Sequence, residues 1–198
     1  LMRLKKFLIF TFVIINFVCI NQSYSIEPDV FVQSTVNRAS EALNNKYSKE
    51  EKIEKLKQIA SETVDINGIG YYTLGAYRKN MSENEINQYE ILFEKYFLKS
   101  FSSRLAEYSN PEIEVVSKKK LNENYTMVTS ILVGTEQRPE VKIDWRIYTK
   151  KPENPLIRDL IIEGLSLART QKEEFSSIIQ SNDEDINALF STLKEFIK

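Results

Sequence analysis

The chain has 198 residues, of which 28% are charged and 42% are hydrophobic, and its formal net charge is −1. It contains no histidine and one cysteine, so the usual general base, the soft metal ligands and a thiolate nucleophile are missing from any enzyme site. The acidic balance argues against binding to a phosphate backbone, and no nucleic-acid partner is expected.

The N-terminal residues predict a cleaved secretory signal peptide over residues 1–25. Three basic residues precede an apolar run from Phe7 to Ile20, and this run is shorter than the about 20 apolar residues of a membrane-spanning helix. An uncleaved anchor is the alternative interpretation. Cleavage would remove three positive charges and no acidic residue, which changes the net charge from −1 to −4, and it would remove Cys19. Residues 26–198 then suit a single domain.

Apolar residues at helical spacing dominate the first half of the remaining chain. Two Ser-x-x-Glu capping boxes, Ser48 with Glu51 and Ser82 with Glu85, mark helix starts. The predicted helices run from Pro28 to about Asn45, from Ser48 to about Val64, from Asp65 to Lys79, and from Ser82 to about Tyr108.

After Asn110-Pro111 the spacing of apolar residues changes to two, which predicts β-strands. The short connections between these strands favour an antiparallel meander. The predicted strands begin at Ile113, extend from Tyr125 to Val133, extend from Val141 to Tyr148, and extend from Leu156 to Ile162.

Two further helices are predicted at the end of the chain, from Ser166 to about Gln180 and from Asp183 to Phe196. The order is therefore helices, then four strands, then helices. This order predicts an α+β fold in which the helices pack on one face of a curved four-stranded antiparallel sheet, with an apolar cavity between the layers as one outcome.

Aromatic residues are concentrated on and before the fourth predicted helix. An ordinary core explains any one of them. A long aromatic helix that faces the apolar side of a sheet, with Trp145 opposite, either closes on itself or leaves an apolar cavity. Nine of the 17 aromatic residues that follow the signal lie in this region: Tyr71, Tyr72, Tyr77, Tyr89, Phe93, Tyr96, Phe97, Phe101 and Tyr108.

Four stretches of the sequence resemble the MlaC family, also called the toluene-tolerance family. The resemblance extends from about residue 30 to the end, although Lys150 to Pro155 lacks the family's usual glycine and tryptophan. A second departure is Thr170-Gln171-Lys172, where the family commonly has Asn-Tyr-Arg. The four stretches are Leu74-Gly75 with Tyr77, Ser103 to Ser109, Val141 to Ile147, and Arg158 to Leu167 with its Asp-(apolar)3-Glu-Gly-(apolar)-Ser run.

The resemblance implies a periplasmic phospholipid carrier that acts as a monomer, without a cofactor, a metal or enzymatic activity. Such a carrier exchanges lipid between an outer-membrane lipoprotein complex and the MCE-domain protein of an inner-membrane ABC transporter, and so maintains outer-membrane lipid asymmetry. A two-tailed phospholipid has on the order of 30 methylenes, and exposing them to water costs on the order of 25 kcal/mol. A carrier must therefore enclose its cargo in an apolar pocket with a polar mouth.

Ten apolar residues are predicted to line that pocket. Their strand positions depend on a register that the sequence does not fix, because a slip of one residue inverts the two faces. Arg104 and Arg146 are candidate neighbours of the lipid head group. The strand through Ile161 is expected to form one wall, and the turn at Glu163-Gly164 lets the next helix close the side. The ten are Leu74, Phe93, Phe97, Phe101, Val128, Ile131, Ile143, Trp145, Ile147 and Ile161.

The residues alone leave two other functions open. One is a non-catalytic periplasmic interaction module with the same fold, whose cavity is filled by its own side chains. The other is an envelope hydrolase that uses carboxylates such as Asp144 and Asp159 as acid and base on a polysaccharide or a lipid head group. Ion pairs with the nearby Arg146 and Arg158 explain these carboxylates as well.

Overall fold

The computed structural model describes residues 24–198, which form six α-helices, one short 3-10 helix and a five-stranded antiparallel sheet. The predicted signal peptide lies outside the described residues except for its last two positions. The α-helices are α1 (Pro28–Ala42), α2 (Lys49–Thr63), α3 (Ile66–Leu74), α4 (Glu83–Leu105), α5 (Leu167–Gln180) and α6 (Ile186–Ile197). The strands are β1 (Ile113–Asn122), β2 (Tyr125–Leu132), β3 (Val141–Tyr148), β4 (Leu156–Ile162) and β5 (Leu165–Ser166).

The five strands of the described chain lie side by side in sequence order, and every neighbouring pair is antiparallel. The α+β fold and the meander predicted from the sequence are thus confirmed. The sequence predicts four strands, and the additional one is the two-residue β5. Irregular pairing interrupts β1 at two places and the β3–β4 pair at one, and such bulges increase the local bend and twist of a sheet.

Both predicted capping boxes open helices of the structure. The Ser48 hydroxyl accepts a hydrogen bond from the Glu51 backbone N–H at 3.2 Å, and the Ser82 hydroxyl accepts one from the Glu85 N–H at 3.3 Å. In each case the glutamate side chain accepts a hydrogen bond from the backbone N–H of the serine. A cap of this kind is worth about 1 kcal/mol to its helix. The local sequence therefore sets where α2 and α4 begin.

The helix predicted from Asp65 to Lys79 is wrong in its second half, because α3 ends at Leu74. Gly75 follows with φ of 56° and ψ of −126°, a backbone conformation that side-chain-bearing residues rarely adopt. The chain then forms a separate 3-10 turn over Tyr77–Lys79. The glycine acts as a helix stop rather than as a tolerated interior residue.

Gly75→Ala is expected to lower the free energy of unfolding by about 1–3 kcal/mol, because an L side chain is strained at this backbone conformation. The new Cβ would also lie 2.9 Å from the Cε of Lys172, although that flexible side chain can move away. Chemical denaturation measures the change. Asn67→Ala, at an exposed site in α3, is the control and should change stability by less than about 0.5 kcal/mol. Equal stability of both variants and the wild type would contradict a strained Gly75.

A tight hairpin joins β4 to β5. Its two central residues, Glu163 and Gly164, have φ of 48° and 85°, as in the primed turns that suit the twist of antiparallel strands. The Glu163 N–H donates to the Lys142 carbonyl at 3.1 Å, and the Glu163 carboxylate accepts from the Lys142 N–H. The chain therefore folds back along β4 at the turn predicted at Glu163-Gly164, and the short β5, which the sequence does not predict, precedes α5.

The core lies between the sheet and the helices. Its centre is aromatic: the Tyr89 and Phe93 rings stack at 5.6 Å, and the Phe175 ring packs edge-on against the Phe93 ring at 6.2 Å. A smaller apolar cluster joins α1, α2 and the end of α4, through Leu43, Leu56 and neighbouring residues. The space between these two clusters contains a cavity that is the candidate functional site.

Candidate functional site

An apolar cavity of about 320 Å³ opens between the sheet and the helices. Its volume is at the lower end of the about 300–1,000 Å³ that is typical of ligand pockets. Most of its lining is apolar, and the polar groups are few. The residues that line it include Val36, Ala39, Leu43, Leu56, Ile59, Ala60, Ile69, Phe93, Tyr96, Phe97, Ser100, Phe101, Arg104, Leu105, Tyr108, Ile113, Leu132, Val141, Ile143, Trp145, Ile157, Asp159, Leu160, Ile162, Leu167, Ala168, Thr170, Gln171 and Glu174.

One wall of the cavity is a row of aromatic rings on α4. Phe93, Phe97 and Phe101 follow one another at a spacing of four residues, which places them on one helix face. The ring centroids of Phe93 and Phe97 are 6.1 Å apart, and those of Phe97 and Phe101 are 5.6 Å apart with nearly parallel planes. These rings supply a continuous apolar surface along the length of the cavity.

The opposite wall is the inner face of the sheet. Ile143 and Trp145 of β3 line the cavity beside Leu160 and Ile162 of β4, their partners in the strand pairing. The Trp145 indole N–H donates to the Ser130 hydroxyl at 2.7 Å, so the polar edge of this ring is already satisfied. The rest of the Trp145 ring is free to present apolar surface to a ligand.

Asp159 is buried, with 4% of its surface exposed, although it lies in the lining of an apolar cavity. One carboxylate oxygen accepts from the Ser166 hydroxyl at 2.6 Å, and the other accepts from the Ala168 backbone N–H at 3.0 Å. Ser166 in turn caps α5 by accepting from the Arg169 N–H at 3.1 Å. This network ties β4 to the N-terminus of α5, which explains the Asp and Ser of the Asp-(apolar)3-Glu-Gly-(apolar)-Ser run in structural terms.

Several polar groups of the lining lie where α4 faces α5. The Tyr96 hydroxyl donates to the Gln171 side-chain oxygen at 2.9 Å, and the Gln171 amide donates to the Glu174 carboxylate at 2.9 Å. Burial is the main cause that raises the pKa of the Tyr96 phenol, so this group is neutral at physiological pH. Arg104 and Ser100, on the same side of α4, complete a polar rim.

The structure brings half of the ten predicted pocket residues together in the cavity lining: Phe93, Phe97, Phe101, Ile143 and Trp145. Leu74, Val128 and Ile147 lie instead in the packed core, each with no exposed surface. Ile131 lies between the buried Ser130 and the cavity-lining Leu132, and Ile161 lies between the cavity-lining Leu160 and Ile162. The side chains of Ile131 and Ile161 therefore point to the opposite face of the sheet. Lipid contact at the ten positions stays a prediction.

The sequence reasoning did not find the contribution of the first two helices to the lining. Val36 of α1 and Leu56, Ile59 and Ala60 of α2 line the cavity. Their helical periodicity was a sufficient signal that they face inward. It did not distinguish a residue in contact with other side chains from one that borders an empty space. Among the two candidate head-group arginines, Arg104 lines the cavity and Arg146 lies outside the lining.

Of the two carboxylates considered for catalysis, only that of Asp159 lines the cavity, and both are bonded to neighbouring groups. Asp144 lies outside the cavity lining, where its carboxylate accepts from the Thr129 hydroxyl at 2.6 Å and pairs with Lys142 at 3.0 Å. Asp159 is occupied by its bonds to Ser166 and Ala168. Within residues 24–198, no group of three or more acidic, histidine or cysteine side chains could hold a metal ion.

The fold and the cavity define a class of protein, an α+β layer structure that encloses an apolar cavity with a polar rim. The sequence model of the family described as MlaC protein matches residues 33–195, so the chain belongs to the MlaC family. No curated protein shows a significant match. None of the helices in the described part of the chain is long and apolar enough to cross a membrane.

A solved structure with a similar fold is the phospholipid-binding protein from Ralstonia solanacearum, in complex with a phospholipid. The two chains are 17% identical, and the match covers 87% of this chain and 97% of the other with a TM-score of 0.72. At this level of identity the similarity shows that the fold is shared.

Proposed function

We propose that this protein is a phospholipid carrier that holds the acyl chains of its cargo in the cavity between α4 and the sheet. The observation that carries the proposal is the cavity itself, about 320 Å³ in volume and mainly apolar in its lining. Burial of apolar surface is worth about 0.8 kcal/mol for each methylene. Acyl chains thus gain more from this space than water or a polar metabolite would.

Membership of the MlaC family supports the proposal, as does the phospholipid bound by the Ralstonia solanacearum protein of similar fold. The lipid would be cargo, and the protein would act on it by enclosing it rather than by chemistry. Asp144 is already bonded to Thr129 and Lys142, and Asp159 to Ser166 and Ala168, which is unfavourable for an acid and base pair that acts on a substrate. The open cavity is likewise unfavourable for an interaction module with a self-filled core.

The signal peptide in the finer part of the proposal follows from the sequence, and the location and partners follow from the family. Residues 1–25 act as a cleaved signal peptide, and residues 26–198 form one lipid-binding domain that works as a monomer in the periplasm. The carrier exchanges phospholipid with an outer-membrane lipoprotein complex and with the MCE-domain protein of an inner-membrane ABC transporter. This exchange maintains the lipid asymmetry of the outer membrane. Co-purification of the protein with each complex from a bacterial envelope tests these assignments.

Trp145 provides a direct test of lipid in the cavity, because it lines the cavity and is the only tryptophan of the chain. Phospholipid with brominated acyl chains is expected to quench the Trp145 fluorescence on loading, since bromine quenches indole only at short range. The same lipid without bromine should load without quenching. Fluorescence that stays unchanged, with bound brominated lipid confirmed by native mass spectrometry, would place the acyl chains elsewhere.

A further inference from the structure

Two side chains of opposite charge lie on the rim of the cavity, one on each of two facing helices. Arg104 is in the last turn of α4, and Glu174 is in the middle of α5. Both side chains are exposed and both belong to the cavity lining. Neither forms a salt bridge with another residue of the described chain. The rim therefore offers one cation and one anion that the protein itself does not neutralise.

Hydrogen bonds that link α4 to α5 hold the Glu174 carboxylate in place. Gln171 accepts from the Tyr96 hydroxyl and donates to one carboxylate oxygen of Glu174, each at 2.9 Å. A carboxylate has about four acceptor positions, so Glu174, which lines the cavity, retains acceptor capacity. Because its partner is a neutral amide, the carboxylate is oriented while its negative charge stays unpaired within the described chain.

The Arg104 side chain is directed toward the part of the rim where Tyr96 and Glu174 lie. Arg104 lies two turns beyond Tyr96 on α4, about 12 Å along the helix axis, and helical side chains lean back toward the N-terminus of their helix. The pKa of Tyr96 is raised by burial first and by the charge of Glu174 next, while the charge of Arg104 opposes the increase. Both charges therefore act on one phenol at the rim.

We propose that this rim recognises a zwitterionic head group, with Arg104 against the phosphate and Glu174 against the ammonium of a phosphoethanolamine-type lipid. The inference rests on the proposed function, since it requires the acyl chains to lie in the cavity. A guanidinium presents paired N–H donors that match phosphate oxygens. An ammonium has three donors and no acceptor, which suits the free oxygens of Glu174.

An anionic lipid without an amine, such as phosphatidylglycerol, also satisfies Arg104 but gives Glu174 no cation to bind. The rim should thus favour the zwitterionic lipid. Exposed ion pairs are worth about 0.2–1 kcal/mol, which corresponds to a preference of up to about fivefold. A preference of this size selects cargo without preventing its release to an acceptor.

The test loads lipid-free protein from vesicles with equal amounts of phosphatidylethanolamine and phosphatidylglycerol that carry identical acyl chains. Native mass spectrometry then gives the ratio of the two lipids bound. The wild type is expected to favour phosphatidylethanolamine by about two- to fivefold. Glu174→Lys is expected to reverse the preference toward phosphatidylglycerol. Arg104→Gln should lower the loading of both lipids by about the same factor, because both carry the phosphate.

Two exposed residues outside the cavity lining provide charge-matched controls on the same helices. Glu173→Lys on α5 and Lys95→Gln on α4 should leave both the ratio and the total loading at wild-type values. A ratio that is the same in the wild type and in Glu174→Lys, with both lipids loaded, would overturn the head-group inference alone. A wild-type protein that loads neither lipid would overturn the proposed function.

Discussion

Phe97→Asp is expected to reduce lipid occupancy at least about tenfold. Phe97 lies in the middle of the aromatic row on α4, between Phe93 and Phe101, and lines the cavity. An unbonded polar group in an apolar environment costs about 2 kcal/mol or more, and a tenfold change in affinity requires about 1.4 kcal/mol. The aspartate would also attract water into the space reserved for acyl chains. The measurement is the ratio of phospholipid to protein by native mass spectrometry after loading from vesicles.

The control for this variant is Ile91→Asp, which adds the same charge to the same helix. Ile91 is 58% exposed and does not line the cavity, so its replacement should keep full occupancy. Circular dichroism on heating shows whether each variant is folded before the lipid is counted. A folded Phe97→Asp protein with full occupancy would remove Phe97 from the binding site and place the tails elsewhere.

Asp159→Ala is expected to lower the free energy of unfolding by about 3 kcal/mol. The substitution leaves the buried Ala168 N–H and the Ser166 hydroxyl without their acceptor, and each buried donor left unsatisfied costs about 1–3 kcal/mol. For a protein of this size, a loss of about 3 kcal/mol lowers Tm by about 6–12 °C. Calorimetry or circular dichroism on heating provides the measurement.

Two further variants test whether the stability loss comes from the hydrogen bonds of Asp159 or from the loss of any carboxylate. Asp159→Asn keeps an oxygen acceptor for the Ala168 N–H, so about half of the stability loss should be restored. Asp144→Ala removes a carboxylate that lies outside the cavity and pairs with Lys142, and it should cost less than about 1 kcal/mol. A Tm of Asp159→Ala equal to that of the wild type would show that the link between β4 and α5 is not structural.

Part of the fold could be predicted because its causes are local in sequence. The capping boxes at Ser48 and Ser82 fix the starts of α2 and α4 by hydrogen bonds over three residues. The change of apolar spacing after Asn110-Pro111 separates the helical part from the strands. The end of α3 at Gly75 was missed, since a glycine tolerated within a helix and one that stops it look alike in sequence.

The candidate site was predicted where one helix face determines it. Phe93, Phe97 and Phe101 share a face of α4 whatever the rest of the chain does, and all three line the cavity. The strand residues were less predictable. Val128 faces the core and Ile131 faces the other side of the sheet, because the pairing register of β2 decides which alternate residues point inward.

The sequence by itself determined the order of the helices and the four long strands, the starts of the capped helices α2 and α4, the aromatic face of α4 and the membership of a family, since each depends on residues close together in the chain. The last helix is predicted to start at Asp183, but Asp183 and Glu184 have positive φ and α6 starts at Ile186. Only the tertiary structure decided where the layers leave an open space and which apolar residues border it. Leu74 and Phe97 have the same apolar character, yet Leu74 is enclosed by other side chains while Phe97 lines the cavity. That difference depends on how distant elements pack, and no pattern within one element records it.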